Sequence, residues 1–281
     1  MNNMLYSRRR LVNYINLTLS FLAMCFGLFW LGWILFTLLK SGFSALNANV
    51  FTMSTPAPGS PGGLINAIFG SVMMSVLGTF IGTPIGILAG IYLAEFGHRG
   101  WLAPTTRFIN DILLSAPSII IGLFIYTVYV KQVEHYSAWA GAIALAIIVI
   151  PVVLRQTENM LKLVPNSMRE AAAALGTPQW KIVGYVTLRA SRAGILTGIL
   201  LAVARISGET APLLFTAFNN KFWSTNLNAP MANLPYVISQ FAMSPYEDWK
   251  QLAWAASLLI TLSVLGINVV ARVLLKQEKS H

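Results

Sequence analysis

Two residues of opposite charge, Arg205 and Glu209, lie four positions apart inside an apolar stretch of the chain. A charge at the bilayer centre costs about 2.5–3.5 kcal/mol on insertion scales, so such side chains usually face a bundle interior or a water-filled cavity. The spacing puts both on one helix face, where they can pair. Arginine also offers a planar fork of donors that suits oxyanions. We predict a transit or gating site for an anion, which Glu209 keeps near neutral when empty; the alternative is an ion pair that only fixes helix packing.

The backbone beside this pair is expected to be irregular, because Gly208 and Pro212 flank it. Proline has no N–H, so the carbonyl of Gly208 loses its helical donor and a bend follows. Irregular backbone at membrane depth is tolerated where it lines a cavity or is buried in protein.

The composition places these residues in a membrane protein. Hydrophobic residues make up 56% of the 281 residues and charged residues 10%, against about 25% charged residues in an ordinary soluble domain. The net charge of +10 comes from Lys and Arg at the ends of apolar stretches, which argues against nucleic-acid binding. Cys25 is the single cysteine, so the chain has no internal disulfide, and we predict no metal site.

The apolar stretches predict an all-α polytopic membrane protein with six transmembrane helices, each long enough for a bilayer core. We place these helices at about 14–39, 64–94, 109–130, 137–154, 194–218 and 252–275. A Pro/Gly-rich linker at 54–63 divides the chain into an accessory region (residues 1–63), a core (residues 64–275) and a tail (residues 276–281). Residues 219–250 predict either an outer lid with a short helix near 233–242 or simple aromatic anchoring at the headgroups.

The positions of lysine and arginine predict the orientation. With the N-terminus in the cytoplasm, fourteen of the 19 lie on the cytoplasmic side and four on the outer side, and Arg205 lies within a span. The cytoplasmic set is Arg8, Arg9, Arg10, Arg99, Arg107, Arg155, Lys162, Arg169, Lys181, Arg189, Arg192, Arg272, Lys276 and Lys279; the outer set is Lys40, Lys131, Lys221 and Lys250. The positive-inside rule therefore predicts cytoplasmic termini and a cytoplasmic loop at 155–193.

Four glycines at four-residue spacing lie on one face of the second predicted helix: Gly78, Gly82, Gly86 and Gly90. This pattern predicts close packing against a neighbouring helix. The alternative is a contact that shifts during gating. Pro84 is expected to bend the same helix.

The cytoplasmic loop predicts two short helices with a sharp turn between them. Ser167 and Glu170 have the spacing of a capping box, and the residues that follow are strong helix formers. Gly176 stands where a helix ends. Thr177 and Pro178 predict the start of a second helix that runs to about residue 188.

The segment Glu170-Ala171-Ala172, followed after three residues by Gly176 and later by Val186-Thr-Leu188, resembles the EAA loop of ABC importer permeases. It departs from the family at Arg189, where proline is usual. The resemblance implies a coupling helix, formed around Glu170, Ala171, Ala172 and Gly176, that docks into a groove on a separate ATPase. The chain contains no P-loop pattern, so we expect a partner to hydrolyse ATP.

Two further stretches, from Gly208 to Leu214 and from Leu114 to Leu123, resemble the permease subunits of bacterial phosphate importers. The resemblance implies the type I ABC importer permease (MetI-like) fold, alternating access and a multi-pass protein of the bacterial inner membrane, surrounded by lipid. It also implies four kinds of partner: inorganic phosphate, a second homologous permease subunit, two copies of an ATPase and a periplasmic phosphate-binding protein. The chain itself would catalyse no bond chemistry and need no cofactor.

Three rival functions remain open from the residues. The chain could be a permease for another anion. It could be a self-contained secondary transporter or channel, which would be active without ATP or partners. It could also be a membrane anchor or sensor that transports nothing, in which case Leu and Gln could replace Arg205 and Glu209 without loss of output.

Overall fold

The computed structural model describes residues 3–97 and 100–278, and within these ranges all regular structure is helical. Arg99, Lys279 and the last two residues of the predicted tail lie outside the described residues. The first half of the chain forms α1 (Asn3–Ala45), α2 (Ala48–Thr52), α3 (Ile65–Ile91), α4 (Leu102–Ser115), α5 (Ser118–Ile125) and α6 (Lys131–Val133). The second half forms α7 (Ala138–Lys162), α8 (Asn166–Ala174), α9 (Gln179–Lys181), α10 (Leu188–Ile206), α11 (Ala211–Thr216), α12 (Leu234–Ala242) and α13 (Glu247–Glu278). The π-helical turns Tyr92–Phe96, Tyr126–Val130 and Ile182–Thr187 extend α3, join α5 to α6 and join α9 to α10.

The prediction of six transmembrane helices is confirmed, with one of them broken. Among the described residues, five helical segments are long and apolar enough to cross a membrane, and a bent pair makes six if it counts as one span. The five are Tyr6–Ala45, Ile65–Phe96, Ala138–Lys162, Gln179–Ile206 and Glu247–Val270.

The third predicted helix, at 109–130, is wrong as a straight element. The chain forms α4 and then α5, and the two helical segments meet at an angle of 103°. Ala116 has extended backbone (φ −65°, ψ 133°). The cause is Pro117, which has no N–H to donate and disfavours helical backbone in the residue before it.

The predicted loop at 155–193 is much shorter in the structure. α7 continues to Lys162, and the next helical path begins at Gln179, so only residues 163–178 lie between the two spans. The charges that marked the end of the fourth predicted helix do not end it. Arg155 pairs instead with Asp111 of α4. A helix can project beyond the bilayer when its charges are solvated or paired. A prediction from the positions of the charges therefore ended this helix too early.

The glycine face of α3 packs against α7, as the sequence predicts. A Cβ atom added to Gly82 would lie 2.8 Å from the carbonyl oxygen of Ala146, and one added to Gly90 would lie 2.6 Å from Cβ of Thr157. Because glycine has only a hydrogen in place of a side chain, the two backbones approach closely. The helix runs through Pro84 without a break.

The short helix predicted near 233–242 is present. α12 begins at Asn233, whose side chain accepts a hydrogen bond from the N–H of Tyr236 at 2.9 Å. Tyr236 is buried, and this burial, together with Tyr136, raises the pKa of its hydroxyl above the usual value near 10. Trp249 is also buried and stacks on Phe241, with 4.3 Å between the ring centroids. These buried rings favour a structured lid over simple aromatic anchoring.

The predicted linker at 54–63 has no helix, but hydrogen bonds hold its start. The side-chain oxygen of buried Asn66 accepts a hydrogen bond from the N–H of Thr55 at 3.0 Å. Its amide donates to the hydroxyl of Thr55 at 3.0 Å and to the carbonyl oxygen of Asn220 at 2.8 Å. The start of α3 therefore joins the linker to the loop before the lid helix.

Candidate functional site

The helix that carries Arg205 breaks completely beside it. α10 ends at Ile206, residues 207–210 are not helical, and α11 begins with Pro212 in its first turn. The sequence predicted a bend within one helix at 194–218, and the structure replaces that bend with a gap. Proline is favoured in the first turn of a helix, where no N–H is required, so Pro212 starts a new helix.

Arg205, near the end of α10, and Glu209, within the break, face each other. Nε of the arginine lies 3.9 Å from Oε1 of the glutamate, and their side chains are 42% and 16% exposed. This distance corresponds to an ion pair without a hydrogen bond. The surface around Arg205 is open and includes exposed Leu201, one turn away on the same helix face. Because charge facing lipid is unfavourable, this surface must border water or another protein subunit.

The two stretches that resemble phosphate permeases pack against each other. A Cβ atom added to Gly122 of α5 would lie 2.6 Å from Cα of Pro212 and 3.3 Å from the carbonyl oxygen of Ala211. The bend at Pro117 and the break at Glu209 thus belong to one packed unit.

The segment predicted to be a coupling helix differs at its start from the prediction. α8 begins at Asn166, directly after Pro165, and no side chain caps it. The predicted capping box of Ser167 and Glu170 is therefore wrong, since Ser167 already lies in the first turn. Proline restricts its own φ and disfavours helix in the residue before it, which sets the start of α8 two residues earlier than the capping box predicts.

The end of α8 agrees with the prediction. Gly176 has φ +75°, a left-handed backbone conformation that residues other than glycine rarely adopt. Its N–H donates to the carbonyl of Ala173 at 2.9 Å, and that of Thr177 donates to Ala172 at 3.3 Å. This pair of bonds is a Schellman motif. The second predicted helix does not stand alone, because it continues through a π-helical turn into α10.

α8 lies on the surface of the chain. None of its residues is buried; Glu170 and Ala171 are exposed and Ala172 is half-buried. Leu175 is 85% exposed and Trp180 is 64% exposed. Isolated helices shorter than about 12 residues are marginal in water. An exposed short helix with apolar neighbours indicates a surface that another protein covers.

The candidate residues thus form two groups. Gly208, Arg205, Glu209 and Pro212 lie at the helix break, whereas Glu170 to Gly176 form the exposed segment. The helical path Gln179–Ile206 connects them. At 1.5 Å per residue this path is about 40 Å long, so the groups lie far apart along it.

Sequence reasoning missed a set of ion pairs at the end of the bundle near α8. Buried Glu158 contacts Arg107 and Lys162, and Glu95 contacts Arg169. The signal was available, because the chain has only 9 Asp and Glu residues, and Glu95 directly follows an uncharged apolar stretch. Acidic residues are costly near a membrane core, which makes each of them a candidate for pairing.

A cavity of about 600 Å³ lies behind the face that carries Arg205. Val203 and Ser207 of the α10 region line it, whereas Arg205 does not. Four other hydroxyl groups line it as well: those of Ser71, Ser75, Thr79 and Ser263. Among the described residues, no group of three or more His, Cys, Asp or Glu could hold a metal ion.

Comparison with known proteins supports the ABC importer permease family that the sequence resembles. Residues 82–277 match the model of the binding-protein-dependent transport system inner membrane component. The phosphate transport system permease protein PstA of Pasteurella multocida is 62% identical over 278 residues, which cover 99% of both chains. The protein of the same name from Haemophilus influenzae is 58% identical and covers 99% of this chain and 98% of its own.

The fold also matches a solved structure. A chain of the MetNI methionine ABC transporter, in an inward-facing conformation, superimposes with a TM-score of 0.65 at 19% identity. The match covers 76% of this chain and 95% of that chain. At this identity the likeness concerns the fold, which is that of type I ABC importer permeases. The chain belongs to the binding-protein-dependent transport system inner membrane components and, among them, to the PstA family of phosphate transport permeases.

Proposed function

We propose that this chain is a membrane permease subunit of an ATP-driven phosphate importer and forms half of its translocation pathway. The observation that carries the proposal is the 62% identity, over nearly the whole chain, to a phosphate transport permease. The open face around Arg205 supports it, because a charged surface at this depth needs water or a second subunit beside it.

The partners follow from the same family. They are a second homologous permease subunit of the PstC type, two copies of an ATPase of the PstB type and a periplasmic phosphate-binding protein of the PstS type. Inorganic phosphate is the cargo. The chain lacks a P-loop, so ATP is hydrolysed by the partner, and the permease needs no cofactor of its own.

Arg205 and Glu209 contribute to the pathway for phosphate. The arginine supplies a fixed positive charge with donors in a plane, and the glutamate limits how tightly the anion is held. The break at Gly208 and Pro212 removes regular hydrogen bonding there, which is tolerated at membrane depth where backbone lines a cavity. The 3.9 Å separation of the two side chains leaves their contact loose enough to open for an anion.

The segment with Glu170, Ala171, Ala172 and Gly176 couples the permease to the ATPase. Its exposed position and the exposed apolar side chain of Leu175 support this role. Closure of the two ATPase copies would move α8 and open the pathway outward.

The chain has three regions in this proposal. Residues 1–63 are an accessory span with its outer linker, 64–275 are the permease core with the coupling segment in the loop at 163–178, and 276–281 are a tail. The accessory role is supported by α1, which has no buried residue from 6 to 41. α1 contacts α13 near Gly42, where an added Cβ atom would lie 2.7 Å from Cβ of Leu258.

The orientation, with both termini in the cytoplasm, is tested with two cysteines in a Cys25→Ser background. Leu175→Cys lies on the coupling segment, and Met243→Cys lies at the end of the lid helix, where Met243 is 87% exposed. An impermeant maleimide should label the Met243 variant in spheroplasts and the Leu175 variant only in inside-out vesicles. Labelling of the Leu175 variant from outside would reject the coupling role.

The function is tested in proteoliposomes that contain the complete importer. Phosphate uptake should require ATP, the ATPase and the binding protein. Arg205→Gln should abolish uptake while the complex still assembles, and full uptake in this variant would reject the pathway role. Uptake by the chain alone would favour a secondary transporter or channel. Preference for sulfate over phosphate would favour a permease for another anion.

A further inference from the structure

Arg169 is the side chain in α8 that makes the most polar contacts with the helix bundle among the described residues. Its Nε lies 3.2 Å from Oε2 of Glu95, and its Nη2 lies 2.8 Å from Oε1, so the pair is bidentate. Nη2 also donates to the carbonyl oxygen of Leu161 at 2.8 Å, and Nη1 donates to that of Val164 at 2.6 Å and to Oδ1 of Asn166 at 3.3 Å. One guanidinium thereby links α8 to the ends of α3 and α7.

These contacts are sheltered from water. The side chain of Arg169 is 20% exposed and that of Glu95 is 7% exposed. The carbonyl of Val164 lies just beyond the end of α7, where helical donors run out, and the arginine supplies its hydrogen bond. The carbonyl of Leu161 also accepts the N–H of Val164 at 3.2 Å, so the arginine gives it a second hydrogen bond. Bidentate arginine–carboxylate pairs fix geometry as well as energy. The Arg169–Glu95 pair is therefore a rigid contact between α8 and the bundle, although most of the surface of α8 is exposed.

The backbone turn that carries the partner of Arg169 is held from a second side. Glu95 lies in the π-helical turn Tyr92–Phe96 that extends α3. In the same turn, the carbonyl oxygen of Leu93 accepts a hydrogen bond from Arg107 of α4 at 3.0 Å. π-helical turns leave backbone groups without their regular partners and are frequent at functional positions. A displacement of α8 would thus reach α3, α4 and α7 together.

We propose that Arg169 is the positioning residue that transmits movement of the coupling helix to α3 and α7, with Glu95 as its anchor. This inference rests on the proposed function, because it requires an ATPase that moves α8. Arg169 does not touch the ATPase groove or phosphate in this role; it converts docking at Ala171 into displacement of the spans. Loss of the link should leave ATP hydrolysis in place and reduce the phosphate transported for each ATP.

The test compares Arg169→Lys and Glu95→Gln with the wild type in the complete importer reconstituted in liposomes. Lysine keeps the charge but cannot make the bidentate pair and both carbonyl bonds at once. Assembly, ATPase rate and phosphate uptake are measured on the same preparation. We expect normal assembly and a drop of about tenfold in phosphate transported per ATP, within the usual range of coupling effects. Arg10→Lys, an exposed arginine on α1, is the matched control and should behave like the wild type.

Two outcomes would overturn the inference. One is an unchanged ratio of phosphate to ATP in both variants. The other is a fall in the amount of assembled complex, with uptake and ATP hydrolysis reduced by the same factor. That result would mean that the link only supports folding. A wild-type complex without ATP-dependent uptake would instead refute the proposed function on which the inference rests.

Discussion

Arg107 of α4 and Glu158 of α7 form an ion pair in which Nε lies 2.7 Å from Oε1. The glutamate side chain is 1% exposed and the arginine side chain is 33% exposed. Lys162 contacts the same oxygen at 2.6 Å. One buried carboxylate therefore holds α4 against α7 at the end of the bundle that also contains Arg169.

Glu158→Gln should destabilise the protein. The amide leaves two cations without their carboxylate, and breaking a buried pair typically costs about 3–5 kcal/mol. We expect about 3 kcal/mol, because both cations keep some access to water. The free energy of unfolding of the detergent-solubilised protein measures this loss of stability. Glu247→Gln removes the exposed pair with Lys250 and should cost about 0.5 kcal/mol. Equal effects of the two substitutions would contradict the structural role of Glu158.

Gly122→Leu should separate α5 from α11. Its side chain would enter space occupied by the backbone at Pro212. Overpacking typically costs about 1–3 kcal/mol, and backbone cannot move aside as a flexible side chain can. The readout is the yield of monodisperse protein and its thermal stability in detergent. Gly266→Leu in α13 is the control, since an added Cβ there meets nothing within 4 Å. Comparable losses in both variants would argue against the close contact.

Glu209→Gln should make the importer bind phosphate more tightly and transport it more slowly. Without the carboxylate, Arg205 is no longer partly neutralised, so the anion is held more strongly and leaves more slowly. We expect the KM for phosphate to fall by about tenfold, which corresponds to about 1.4 kcal/mol, together with a lower maximal rate. Initial rates of uptake in proteoliposomes measure both quantities. A KM equal to that of the wild type would reject the assigned role of Glu209.

Asn66→Leu should release the linker at 54–63. The substitution leaves the N–H of Thr55 and the carbonyl of Asn220 unpaired, at about 1–3 kcal/mol for each group. Hydrogen exchange at Thr55, followed by mass spectrometry, should accelerate by about tenfold or more. Asn228→Leu, at an exposed position in the loop before the lid, should leave this exchange unchanged. Unaltered exchange in the Asn66 variant would show that other contacts hold the linker.

Helix positions were predictable where one physical signal decided them. Long apolar stretches located the spans, the glycine spacing on α3 predicted close packing against a neighbouring helix, and Gly176 predicted the end of α8. The boundaries marked by charge were wrong, because Arg155 continues a helix when Asp111 lies opposite. The break at Pro117 was also missed, although its angle of 103° depends in addition on what α5 packs against.

The amino-acid sequence alone specified which residues carry charge inside an apolar stretch and which segment resembles a coupling helix. Both are determined by composition and by spacing along the chain. It could not specify which acidic group each basic group meets. Glu95 and Arg169 are 74 positions apart, and Arg107 and Glu158 are 51 apart. Such pairs form only when packing of apolar helix faces brings distant segments together, so the link between α8 and the bundle was decided by the tertiary structure.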